Sequence, residues 1–238
     1  MKIDGMYFDK DVSLTVDSMI HRHKIKLDNL IVVTGREGSG KSSFAMGLCW
    51  LYAKRMGIKF DVDDITFSAK EFLNRSTHRK NGIVLYDEAV QGLMSSQWQN
   101  KTQQLIVQAL MMARKNGNLY VLCIPSFEYL NKYIATERCY LLFEVFMHEN
   151  RRGFANTFSS KLGNQLKVLY HQCKTMKPDR IKSKWQIRFL DHSDKVIDKE
   201  AYEAKKDKAI QELTHVLAEP MKKKEAQYYK LVHKLDID

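Results

Sequence analysis

The eight residues from Gly35 to Ser42 read Gly-Arg-Glu-Gly-Ser-Gly-Lys-Ser, the spacing G-x-x-x-x-G-K-[ST]. They follow an uncharged β-type run, Leu30-Ile-Val-Val-Thr34, and open a helical pattern, the context in which this spacing carries meaning. Gly35, Gly38 and Gly40 free the backbone to turn successive N–H groups inward around an anion. Lys41 would reach the β- and γ-phosphates of a nucleoside triphosphate, and the Ser42 hydroxyl would hold Mg²⁺. The start of the following helix adds its positive end. Glu37, Ser39 and Ser43 complete the residues expected against the nucleotide.

An acidic pair, Asp87-Glu88, ends the strand pattern Gly82-Ile-Val-Leu-Tyr86. An Asp there binds Mg²⁺ through water, and a Glu one step on orients or deprotonates the attacking water. Hydrolysis is the chemistry this implies, with Lys41 and Glu88 catalytic and Ser42 and Asp87 at the metal. Guanine specificity is not expected, because the one near match to N-K-x-D, Asn131-Lys-Tyr-Ile134, ends in an apolar residue. Asp87-Glu88-Ala89-Val90 also matches the helicase box, but no second lobe of comparable size follows. Transition-state charge then calls for an arginine from a neighbouring subunit. Arg138, just before a strand pattern, and Arg114, at a helix end, are the candidates, with Arg151-Arg152 behind them. Arg114-Lys115 fits equally well as helix-terminal charge opposing the dipole.

The elements that must position these residues alternate strand and helix. A helix is expected over 41–56, ended by Gly57, then a short strand at 64–68. Ser68 and Glu71 form a capping box for a helix at 69–75. Strands at 82–86 and 119–124 flank a helix over 101–115, with Leu105, Ile106, Ala109, Leu110 and Met112 facing inward. Another helix crosses to a strand at 140–146. This is an α/β fold with a mainly parallel sheet, whose ligands bind at the strand C-termini. Beyond it, 154–159, 166–171 and 185–190 read as antiparallel strands, and 199–217 and 220–235 as exposed helices. The division is an arm at 1–29 with a short helix near 14–21, a core at 30–150 and a basic β/α extension at 151–238.

Charge follows that division. Residues 1–150 carry 19 basic and 16 acidic side chains, residues 151–238 carry 20 and 12. The excess suits a polyanionic partner behind the nucleotide half. Between 167 and 188 lie Lys167, Lys174, Lys177, Arg180, Lys182, Lys184 and Arg188 against one acid, Asp179, with Tyr170 and Trp185 among them. Basic groups neutralise phosphates and aromatics stack on bases, so this stretch is the expected DNA-binding surface, with a solvated loop as the alternative. The four cysteines are scattered, with Cys49 and Cys123 read as buried free thiols, and the histidines form no metal-ligand pattern. No signal-like start or membrane-length apolar run is present, so a cytoplasmic protein without a membrane span is expected.

The P-loop, "ITFSAKEF", "GIVLYDEA" and the stretch from "SSQWQNKTQQ" to "YIATERC" together resemble the small P-loop ATPases of viruses and mobile elements in the FtsK–HerA superfamily. The resemblance is to the Zot-like and genome-packaging branches and spans about residues 28–146. It implies a RecA-like core assembled into a ring homo-oligomer, usually a hexamer, that moves DNA with ATP and Mg²⁺, alongside a viral or element-encoded protein. Lys41 and Ser42 match the Walker A positions, and Asp87 and Glu88 the Walker B pair. Two departures stand out. The polar sensor falls near Ser126, where Gln or Asn is usual, and the membrane span of Zot-type secretion proteins is missing from this sequence. A soluble DNA-translocating motor for packaging or transfer is the resulting expectation. The alternatives are an ATP switch that remodels a replication or recombination complex, and a small-molecule phosphotransferase.

Overall fold

The computed structural model describes residues 2–87, 106–161, 163–176, 181–183, 185–212 and 214. Two compact units result, 1–199 and 200–238.

The chain opens with a hairpin, β1 (Lys2–Ile3) and β2 (Met6–Tyr7), turned by Asp4-Gly5, both at positive φ. Helix α1 (Lys10–Lys24) follows, capped by the Asp9 carboxylate on the Asp11 amide. It buries Val12, Val16 and Met19 at helical spacing, so the expected arm is a packed layer with a helix longer than 14–21.

Next come β3 (Asn29–Thr34), α2 (Lys41–Met56) and β4 (Ile65–Thr66). Gly57 closes α2 in the left-handed conformation, as its position predicts. Helix α3 (Ala69–His78) is capped by Ser68, while Glu71 reaches back to the Phe67 amide, one residue earlier than the expected box. Strand β5 (Ile83–Tyr86) precedes a helical stretch whose described part is 106–112, and β6 (Leu119–Ile124) follows. Ile106, Ala109 and Leu110 are buried as expected, but Met112 is 73% exposed and does not fill the core. Two short turns, Phe127–Tyr129 and Ile134–Arg138, take the place of the expected crossing helix. Then come β7 (Leu141–His148) and β8 (Arg151–Ser159). Helix α4 (Gln165–Lys174), β9 (Trp185–Arg188) and α5 (Ser193–Val196) close the first unit. The strand expected at 166–171 is thus helical: Leu166, Leu169, Tyr170 and Cys173 recur at helical spacing and are all buried. The second unit is described as a helix through residue 212, and the helix expected at 220–235 lies outside the described residues.

The sheet runs β4-β5-β6-β3-β7-β8-β9. β4 to β7 are parallel, while β8 and β9 add antiparallel to the β7 edge. This is the α/β, mostly parallel architecture expected of a RecA-like core, extended by a β-ribbon. Leu30, Val32, Val84 and Leu122 pack on one face with Phe72 of α3, Leu110, and Leu166 and Leu169 of α4. α2 lies against β3, β5 and β6. Every position of β3, β5 and β6 is buried, which is why these runs are uninterruptedly apolar in sequence.

Candidate nucleotide-binding site

Parallel strands bring their C-terminal ends to one edge of the sheet, so Thr34, Tyr86 and Ile124 all lead into loops on the same side. The loop after β3 is Gly35–Gly40. Gly35, Gly38 and Gly40 take φ of 148, 73 and 97°, which a Cβ would strain. A Cβ on Gly35 would also overlap the Val145 carbonyl oxygen, because β7 runs directly alongside. The Gly35 amide is anchored on the Pro125 carbonyl at 3.2 Å, tying the loop to the end of β6 and leaving half-buried Ser126, the expected sensor position, next in the chain. Ser39 is 2% exposed, and its hydroxyl has no hydrogen-bond partner among the described residues. Glu37 is exposed.

Lys41 and Ser42 start α2, and the structure brings Ser42 to Asp87 across two strand spacings. Ser42 Oγ donates to Asp87 Oδ1 at 2.9 Å, although the residues are 45 apart in sequence. Asp87 is buried at the end of β5, and its amide donates to the Thr66 carbonyl of β4. One strand, β6, lies between β3 and β5, so the loop and the carboxylate face each other over its end. Burial pushes the Cys123 thiol of β6 well up, and the neighbouring Asp87 charge adds to it. All four cysteines are buried and free. Lys41 Nζ donates to the Arg36 carbonyl at 3.0 Å, folded over its own loop.

A cradle that a Cβ would fill, an orphaned buried hydroxyl and a hydroxyl–carboxylate pair together fit a polyphosphate with Mg²⁺. Mg²⁺ keeps to hard oxygen donors and is commonly held by one or two carboxylates completed by substrate phosphates. Among the described residues there is no cluster of three or more His, Cys, Asp or Glu that would make a separate all-protein metal cage. Glu88, the proposed base, lies outside the described residues.

Two further groups reach the loop that sequence reasoning passed over. Arg152, at the start of β8, brings Nη2 to 3.8 Å from where a Gly38 Cβ would stand. Ser43 donates to Asp191, which follows β9; burial would raise that carboxyl, but hydrogen bonds from the Ser193 amide and hydroxyl and from Ser43 hold it below its usual range. The only sequence signal was that Arg151-Arg152 follow the β7 pattern, and nothing local marks where a hairpin will fold.

The expected trans arginines lie elsewhere. Arg138 precedes β7 and Arg114 precedes β6, so both stand at the strand N-termini, the edge opposite the loop. The Arg138 side chain is 11% exposed, ion-paired to Asp28 and hydrogen-bonded to the Leu110 carbonyl. A guanidinium so committed lacks the freedom to reach a neighbour's phosphate, and Arg138 is corrected to an internal anchor. Arg114 is 59% exposed and only 4.0 Å from Asp28. Arg138→Ala should therefore lower stability by about 3–5 kcal/mol, because Asp28 is left buried and unpaired. A denaturant melt with an unchanged midpoint, coupled to lost hydrolysis, would return Arg138 to the catalytic list.

The residues expected to touch DNA divide as well. Lys167 pairs with Glu137 at 2.9 Å, and Lys174 lies exposed on α4 with Nζ 5.8 Å from the Tyr170 ring. Tyr170 itself is buried and donates to the Leu130 carbonyl, so it is not a stacking platform. Lys182 is exposed, and Trp185 on β9 is 40% exposed. Arg188 is exposed on the edge strand β9, its guanidinium 5.4 Å from the Phe154 ring. Lys177, Arg180 and Lys184 lie outside the described residues. Among the described residues, no helix is long and apolar enough to cross a membrane.

Comparison with known families agrees with this geometry. The model of the family described as zonular occludens toxin (Zot) matches residues 58–180, more than half of the chain. No curated protein matches it.

Proposed function

Because this chain belongs to the Zot family of P-loop ATPases, which is related to the FtsK–HerA ATPases, we propose that it is a Mg²⁺-dependent ATP hydrolase that drives DNA movement as a ring homo-oligomer, in packaging or transfer of a viral or mobile-element genome. The observation that carries the reading is the 2.9 Å bond from Ser42 to Asp87 in a sheet where one strand separates loop from carboxylate. In it, the Gly35–Gly40 loop and Lys41 bind the phosphates, and Ser42 and Asp87 hold Mg²⁺. When bound, Mg²⁺ neutralises charge on the β- and γ-phosphate oxygens. Glu88, one residue past Asp87, takes the proton from the attacking water. Arg152 stands in its own subunit where phosphate charge accumulates, and Arg114 remains the arginine offered to a neighbour. Exposed Met111 and Met112 lie just before Arg114, as an apolar patch between subunits would.

The DNA half of the reading rests on Lys174, Lys182, Arg188 and Trp185, all exposed. Replacing Lys174 and Lys182 by Ala should weaken binding to all sequences alike. For every DNA phosphate that a lysine truly neutralises, its replacement should flatten the log–log salt dependence by about 0.7–0.9. Fluorescence anisotropy at several salt concentrations reads both quantities. An unchanged affinity and slope would mean that these lysines are solvated surface.

A further inference from the structure

A cleft opens beside the first turns of α2, on the side of the loop away from Asp87. It holds about 290 Å³ of space and is walled by three segments far apart in sequence. Phe8 comes from the N-terminal arm, Ser43, Phe44 and Gly47 from α2, and Phe189 and His192 from the chain after β9. We propose that this cleft receives the base of the nucleoside triphosphate whose phosphates lie on Gly38–Ser42. The inference rests on the nucleotide reading above and extends it to the residues that hold the other end of the ligand.

The direction of the ligand points to the cleft. Ser42 and Asp87 mark the metal, and so the terminal phosphates, on the β5 side of β3. A nucleotide with that end fixed must run its nucleoside the other way, toward β7, β8 and β9. Ser43, the residue after the metal-binding hydroxyl, is itself a wall of the cleft, so phosphate site and cleft are continuous. Phe189 bridges them further, its ring 3.5 Å from where a Gly40 Cβ would stand.

The chemistry of the wall agrees. It is aromatic: the Phe44 ring lies 4.9 Å from both Phe143 and Phe189, and His192 tilts over Phe8 at 5.9 Å. Flat heteroaromatic ligands stack on such walls, and the volume suits a base rather than a whole nucleotide. At its mouth the ionised Asp191 accepts from Ser43, placing a carboxylate where ribose hydroxyls need an acceptor.

Long-range bonds also hold this cleft together. Phe8 bridges to Phe189, the Arg188 amide donates to Asp9 at 3.2 Å, and His192 Nε2 meets the Tyr7 backbone at 3.1 Å. The arm and the end of the ribbon, 179 to 185 residues apart, are thereby fastened over the same turn of α2. That gives residues 2–9 a task the P-loop alone does not explain.

Calorimetric titration of the full chain with ATP and with inorganic tripolyphosphate, both with Mg²⁺, separates base from phosphate. Gly47→Leu suits a helix and points a side chain into the cleft, since a Cβ there first meets Phe8 at 3.9 Å. It should weaken ATP about tenfold or more, the scale of losing one stacked base, and leave tripolyphosphate binding unchanged. Equal wild-type affinity for the two ligands, or undiminished ATP binding by Gly47→Leu, overturns the cleft assignment and spares the phosphate site. Failure of the wild-type chain to bind either ligand would instead sink the nucleotide reading, and the cleft with it. Photolabelling of the unaltered chain with 8-azido-ATP requires no variant to fold. Label within 7–12, 43–48 or 189–192 supports the assignment, and label confined to other segments overturns it.

Discussion

Glu88→Gln should bind ATP as the unaltered chain does and hydrolyse it about 10²–10⁴-fold more slowly. That is the range general-base catalysis supplies when a positioned carboxylate takes a proton in the transition state. The amide keeps the shape and loses the basicity, so the effect falls on turnover and spares ground-state binding. The expectation follows from Asp87, whose carboxylate accepts the Ser42 hydroxyl at the end of β5 and so sets the next residue beside the phosphates. Turnover within a few-fold of wild type would remove Glu88 from the mechanism.

Lys41→Ala should instead lose binding. Its ammonium is the positive side chain at the mouth of α2, where it already curls over the loop onto the Arg36 carbonyl at 3.0 Å. A hydrogen bond to a charged group contributes about 1.5–3 kcal/mol, so its removal should weaken ATP by about 10–150-fold and abolish measurable hydrolysis at moderate ATP. Direct titration with ATP separates this variant from Glu88→Gln. Retained ATP affinity in Lys41→Ala would mean that the loop does not cradle phosphate.

The phosphate half of the site was legible because its chemistry is local. Three glycines, a lysine and a serine in eight residues dictate a backbone shape, and the apolar runs on either side can only be buried strands. Asp87 was legible for a related reason, as a carboxylate ending a run buried on both faces. What stayed hidden depends on pairing across the fold. Leu166-Lys-Val-Leu-Tyr170 has the β-type residues of a strand, yet with Cys173 its apolar positions keep helical spacing, and packing on the sheet face decides between the two. Arg138 looked like a projecting charge because its partner, Asp28, is 110 residues away. Met112 fitted a helical stripe, but the helix changes to a tighter turn at Ala113–Asn116 and carries it outward. Arg152, Phe189 and Asp191 reach the loop only because a ribbon of β7, β8 and β9 folds back along it, which no motif announces.

Hydrolysis and movement along DNA are tested together by steady-state ATP turnover of the full chain as a function of duplex length. A translocating ring dwells longer on longer DNA, so turnover per protein should climb with length and level off, with Glu88→Gln flat throughout. Turnover that DNA leaves unchanged at every length, in an otherwise active enzyme, would contradict the account.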